Sequence, residues 1–302
     1  MNKNVIESHI FRPSPEAFNG KLPKGVAVLL GTPVGSLVVD KKNKPADTGA
    51  RAQRLAELLG VPVMAYQELG PKVPLTGLPA ARRLLTAGDF PEYTAECAST
   101  LQARLCLGGI QKVIVRAHSG NGPLGTGLCL ALPDASKDIT VSHLALSDPV
   151  GMRSVSFFQG LGLWHRYNSG PAKNTPLDHR TEGRHPSNTV SAFLRDVVVR
   201  GTTTWLTDCT LQNLTQIAES CKQTAVNIHL PGNTLNGTPG EMESVAAALN
   251  EMGIVNRSKR DAPFIAHFVP GDHHSSAYDS HVRNAGFILQ TVELALFPNS
   301  SQ

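Results

Sequence analysis

A serine hydroxyl becomes a useful nucleophile when an imidazole takes its proton, and the imidazole keeps its working tautomer when a carboxylate orients it. Three segments of this chain carry those residue types where apolar runs end. Ser119 stands in Ala117-His118-Ser119-Gly120-Asn121-Gly122, directly after the run at 112–116 (KVIVR). Asp148 stands in Leu146-Ser147-Asp148-Pro149-Val150-Gly151, after the run at 139–146 (ITVSHLAL). His273 and His274 stand in Val269-Pro270-Gly271-Asp272-His273-His274, after the run at 263–269 (PFIAHFV). Together the three would support acyl transfer through a serine-bound intermediate.

Each member also has a plainer reading. A serine forced into a tight turn between strand and helix tolerates only small or left-handed-permissive neighbours. Ala117 and Asn121 stand where the Gly-x-Ser-x-Gly form has glycine, and Asn121 is acceptable there because asparagine visits the left-handed region more readily than most residues. The same stretch would also serve as a glycine-rich turn that binds a phosphate or nothing. Asp148 before a proline also fits a turn cap, and the histidine pair also fits an exposed loop. His118 is adjacent to Ser119 on a strand and so points to the opposite face, which favours packing. His165, His179 and His185, with Asp178, follow no zinc-ligand spacing and read as loop residues. No metal or other cofactor is expected.

The elements that would position these groups alternate in type. Strands are predicted at 25–30 (GVAVLL), 61–66, 112–116, 139–146, 225–230 (AVNIHL) and 263–269. Helices are predicted at 50–59, 80–86, 91–107, 124–132, 190–199, 211–221, 241–252 and 279–296. That alternation predicts an α/β class, with a mostly parallel central sheet and helices on both faces. The rhythm breaks at about 151–220, which holds both tryptophans, Trp164 and Trp205. This part reads as a helical insertion with a return helix, inside one domain spanning 1–302. Phe157, Phe158 and Trp164 open the insertion, where they would line an acyl pocket or pack on the sheet. Serine, acid and histidine follow successive strands in that order.

On these residues the sequence resembles the α/β-hydrolase superfamily over about residues 22 to 298, most of all its thioesterase branch from polyketide and peptide synthases. Gly271-Asp272-His273-His274 matches three positions of the branch's Gly-Asp-His-Phe motif, with His274 in place of phenylalanine. The resemblance implies a serine hydrolase (carboxylesterase or thioesterase type) with Ser119 as nucleophile, Asp148 as acid and a lid at about 151–220. The motif favours His273 as base, whereas the Gly-x-x-His spacing of other hydrolases favours His274. Other members take the acid one strand later, and there the first carboxylate is Glu241. An oxyanion needs two N–H donors: Gly120, which follows the nucleophile, and, by resemblance, Thr32, since Pro33 has no N–H. Amide or peptide cleavage, or a non-catalytic binding module on the same scaffold, remain readings of a different kind.

Composition narrows the classes further. With 28 basic and 24 acidic residues among 302, the net charge is +4, and no block of five like charges occurs. That argues against nucleic-acid or membrane-surface partners and leaves a small-molecule acyl ester or thioester as the expected one. Lys41, Lys42 and Lys44, then Arg257, Lys259 and Arg260, read as solvated loops. No apolar run approaches the roughly 18 residues a spanning helix needs. The first 18 residues lack the apolar stretch of a signal peptide, so a cytoplasmic location is the expectation. Five cysteines at no metal-ligand spacing read as reduced core thiols.

Overall fold

The computed structural model describes residues 6–17, 22, 25–32, 39, 42–44, 47–68, 90–169, 207–234, 236–273 and 281–296. Seven strands form one sheet: β1 (Ile6–Phe11), β2 (Val26–Gly31), β3 (Val63–Glu68), β4 (Lys112–His118), β5 (Thr140–Ser147), β6 (Ala225–Asn233) and β7 (Phe264–His273). Their order across the sheet is β1-β3-β2-β4-β5-β6-β7. All neighbours pair in parallel except β1 and β3, which are antiparallel. The helices are α1 (Asp47–Leu59), α2 (Phe90–Leu107), α3 (Gly122–Ala135), α4 (Phe157–Ser169), α5 (Cys209–Ser220), α6 (Pro239–Asn256) and α7 (His281–Leu296).

The inner strands read as apolar runs because both of their faces are covered. β2 is buried at every position, and β4 at all but its first. On one face Ala27, Leu29, Val115, Ala117 and Leu146 meet α2, α3, α5 and α6 through Leu101, Leu128, Leu214 and Leu249. On the other, Val26, Val28, Leu30 and Ile114 meet α1 and α7 through Leu55, Leu59 and Ile288. The predicted α/β class and two-sided covering are therefore present. β1 was not anticipated: its sequence, IESHIF, mixes polar and apolar residues because it is an edge strand with one buried side.

The insertion divides. α5 is a core helix: Leu214 and Ile217 are fully buried in the main apolar cluster. Its Thr210 hydroxyl donates to Val150 O at 2.5 Å, and its Asn213 amide to Thr126 Oγ1 at 3.0 Å. Residues 170–206, including the helix expected at 190–199, lie outside the described residues, as does the helix expected at 80–86. Two surface expectations change. Arg260 is no solvated loop cation: it caps α5 by donating to the carbonyls of Ile217 (2.8 Å) and Ala218 (3.1 Å), where the helix dipole favours positive charge. Cys97 and Cys129 are core thiols as expected, but Cys106 is exposed.

The sheet order contains a reversal. The chain moves outward from β2 to β3 on one side, then crosses to β4 on the other. A crevice opens outside the carboxyl ends of strands where winding reverses, and ligands bind there in open α/β sheets. The residues that follow β2 and β4 are Thr32 and Ser119.

Candidate active site

Ser119 leaves β4 with φ 51°, a left-handed backbone that is costly for any residue with a Cβ. It opens a single 3-10 turn, Ser119–Asn121, that runs into α3, with Pro123 in its first turn. The close packing of this turn explains its glycines. A Cβ on Gly122 would lie 2.5 Å from Pro149 Cβ, and one on Gly125 would lie 2.5 Å from Ala117 Cβ. Ala117 is thus accommodated by the absence of a side chain at Gly125. Asn121, by contrast, is right-handed (φ −86°, ψ −1°), so left-handed tolerance does not explain it. The left-handed residue is the serine itself.

Asp148 follows β5, beside the serine. Its backbone is also left-handed, with φ 40°, and it is fully buried. Its N–H donates to His229 O at 2.8 Å, and two residues on, the Val150 N–H donates to Ser119 O at 3.1 Å. The carboxylate accepts from Thr234 Oγ1 at 2.5 Å and from Asn236 Nδ2 at 2.6 Å. Both donors belong to the segment after β6. Glu241, the other candidate acid, is used differently. It closes a capping box with Thr238 at the start of α6 and pairs with Arg153 Nη1 at 2.5 Å.

His273 is the last residue of β7, half-buried and in register with Asn233. His274 lies outside the described residues. The residue before them, Asp272, is bound to the sheet: its Oδ2 lies 3.2 Å from His229 Nε2 on β6. Burial pulls the His229 pKa below the ordinary imidazole value, against the opposing pull of Asp272 and Asp148.

Sequence reasoning missed the support beneath these strand ends. Arg116, fully buried on β4, donates Nε to Asn284 Oδ1 at 2.6 Å and Nη2 to Ser147 Oγ at 2.9 Å. Its guanidinium also lies 4.8 Å from the Phe287 ring centroid. His118 Nδ1 lies 3.0 Å from both Ser147 O and Ser147 Oγ, a packing role as expected. The polar row therefore ties β4 to β5 one residue before Ser119 and before Asp148. The signal was present as polar residues two apart on one strand face: Arg116 and His118, then Asn227 and His229.

Thr32 and Asn121 meet across the reversal point. Thr32 donates both its N–H and its hydroxyl to Tyr66 O, each at 2.9 Å. The Asn121 amide donates to Thr32 O at 3.1 Å. The Thr32 N–H, expected to face an oxyanion, is therefore committed to the β3 backbone.

Among solved structures, this chain is similar to a proline iminopeptidase from Mycobacterium smegmatis: 14% identity over 97% of this chain and 96% of that one, with a TM-score of 0.50. The α/β-hydrolase fold is the architecture of this chain. Weaker likenesses are MGS-M2, an α/β hydrolase from a Medee basin deep-sea metagenome library (13% identity, 95% and 94% coverage, TM-score 0.48), and a puromycin-hydrolysing peptidase from Mycobacterium tuberculosis (14% identity, TM-score 0.47). The chain is covered to 96% by the latter but spans only 37% of that peptidase. No family model matches the chain, and no curated protein is similar to it in sequence.

In this hydrolase fold the remaining expected site residues lie around α4. Phe158 is 80% exposed, while the side chains of Phe157 and Trp164 lie outside the described part. His165 is exposed on the same helix, and His179 and His185 lie outside the described residues. A small cavity separates α4 from the Asp148 loop, lined among others by Met152, Arg153, Val155, Leu163 and Asn236. Among the described residues, no helix is long and apolar enough to cross a membrane.

Proposed function

We propose that the chain is a serine hydrolase that passes the acyl group of a small ester or thioester first to Ser119 and then to water. The observation that carries this reading is the left-handed backbone of Ser119 at the carboxyl end of β4, where the sheet winding reverses. A strained non-glycine residue persists where surrounding structure over-determines it, and such residues cluster at active sites. The strain lifts the hydroxyl out of the strand and presents it in the crevice.

In this mechanism His273 accepts the Ser119 proton as Oγ attacks the acyl carbonyl, then returns it to the leaving oxygen or sulfur. Asp148 orients the imidazole, and its own carboxylate plane is set by Thr234 and Asn236. The Gly120 N–H meets the tetrahedral oxyanion. Thr32 can add its N–H only by giving up Tyr66 O. The acyl group would lie against α4, beside the small cavity lined by Met152, Val155 and Leu163.

The test is labelling with an alkyl fluorophosphonate, followed by peptide mass spectrometry, with Ser119→Ala alongside. Labelling confined to Ser119 supports the reading, and p-nitrophenyl esters and acyl thioesters of increasing chain length then define the acyl group. A folded wild-type protein that takes no label overturns it.

A further inference from the structure

Asn121 occupies the N-cap position of α3, where asparagine ordinarily accepts a hydrogen bond from the first turn of the helix. Here its side chain makes no capping bond. It reaches instead to another strand, 89 residues away in sequence, and donates Nδ2 to Thr32 O at 3.1 Å. The residue is 3% exposed, and its Oδ1 is buried with no hydrogen-bond partner among the described residues. An unsatisfied buried acceptor is costly, so the position is a poor choice for filling space alone.

The surroundings show how closely the two strand ends approach. A Cβ on Gly31 would lie 3.0 Å from Asn121 Cβ, 3.2 Å from Asn121 Cγ and 3.0 Å from Tyr66 Oη. Thr32 is thereby gripped from two sides: Tyr66 O takes its N–H and hydroxyl, and Asn121 takes hold of its carbonyl.

We infer that Asn121 is a positioning residue, whose amide ties the serine turn to the end of β2 and so holds Ser119 and the Gly120 N–H in place. Glycine, the residue of the Gly-x-Ser-x-Gly form at this place, has no donor for that bond. The inference rests on the Ser119 reading and adds to it the residue that fixes the serine turn against β2.

The experiment measures p-nitrophenyl acetate hydrolysis and the second-order rate of fluorophosphonate labelling for the wild type, Asn121→Ala, Asn121→Gly and Gly31→Ala. A misplacement of about 1 Å at such a site costs on the order of 10²-fold. Both Asn121 variants are expected to lose about that much in kcat and in labelling rate, with KM within about threefold. Gly31→Ala, whose Cβ would crowd Asn121 Cβ and Tyr66 Oη at 3.0 Å from the other side, is expected to show a smaller loss of the same kcat-specific kind. It keeps the question decidable if the Asn121 variants fail to fold. Wild-type kcat in folded Asn121→Gly, or in Gly31→Ala, overturns the inference while leaving Ser119 as nucleophile. A wild-type protein that takes no label removes the Ser119 reading, and this inference with it.

Discussion

Ser119 and Asp148 stand at the carboxyl ends of adjacent parallel strands, both with left-handed backbone, and Val150 N–H, two residues past the aspartate, donates to the serine carbonyl at 3.1 Å. Two of the three proposed triad residues are thus among the three described non-glycine residues with positive φ. For Ser119 that conformation makes a measurable statement about stability. Ser119→Gly should be more stable than Ser119→Ala by about 1 kcal/mol, the reverse of the usual preference, because only glycine adopts φ near +50° without cost. Urea unfolding midpoints of the two variants decide it, and an alanine variant as stable as the glycine one would refute the left-handed turn.

The two candidate carboxylates sit in different settings, Asp148 buried between Thr234 and Asn236 and Glu241 in a capping box, and the proposed triad gives them different roles. Asp148→Asn should reduce kcat by roughly 10³-fold to 10⁴-fold, because an amide cannot hold the imidazole in the required tautomer. Glu241→Gln should instead leave kcat within about twofold and cost at most about 1 kcal/mol, through the lost Arg153 ion pair, since glutamine still accepts from the Thr238 N–H in the capping box. Ester hydrolysis and thermal melting on the same two variants suffice. Loss of activity in the Glu241 variant alone would exchange their roles.

Packing of α3 on β4 is set by one alanine against one glycine. Gly125→Ala would place a Cβ 2.5 Å from that of Ala117 and should destabilise by about 1–3 kcal/mol, the range for overpacking a core. Adding Ala117→Gly should recover most of the loss, since the clash is pairwise. A double variant no more stable than Gly125→Ala, compared by denaturant unfolding, would show that other contacts set the helix position.

Stability should fall in mild acid. Burial, with Lys112 nearby, pushes the His143 pKa down from 6.5 to about 4, and burial lowers His229 and His267 in the same direction. Below pH 6.5 the unfolded chain takes up a proton at His143 that the folded chain refuses until about pH 4. The proton therefore favours unfolding, and the stability present at neutral pH is lost as pH falls through that window. His143 alone contributes up to about 2 kcal/mol of this loss at pH 5, at 1.36 kcal/mol per pKa unit. His143→Gln should flatten the dependence of melting temperature on pH between 7 and 5. An unchanged slope would place the titration elsewhere.

Much of this arrangement is local and so is written in the chain. Apolar runs of five to eight residues, separated by amphipathic stretches, determine parallel strands and covering helices, because burial on two faces demands it. Ser119, Asp148 and His273 could be singled out because each follows such a run, and a strand's end sets where its next residue emerges. β1 was not legible, since an edge strand buried on one side lacks the apolar run. Contacts between distant segments are of another kind. Thr234 and Asn236 on the Asp148 carboxylate, Arg116 beneath Ser147, and the Asn121 amide on Thr32 join residues 31 to 89 positions apart. Nothing in their spacing announces these pairs. They arise only when the sheet order places β4 between β2 and β5, and that order is decided by how the helices pack on the whole sheet.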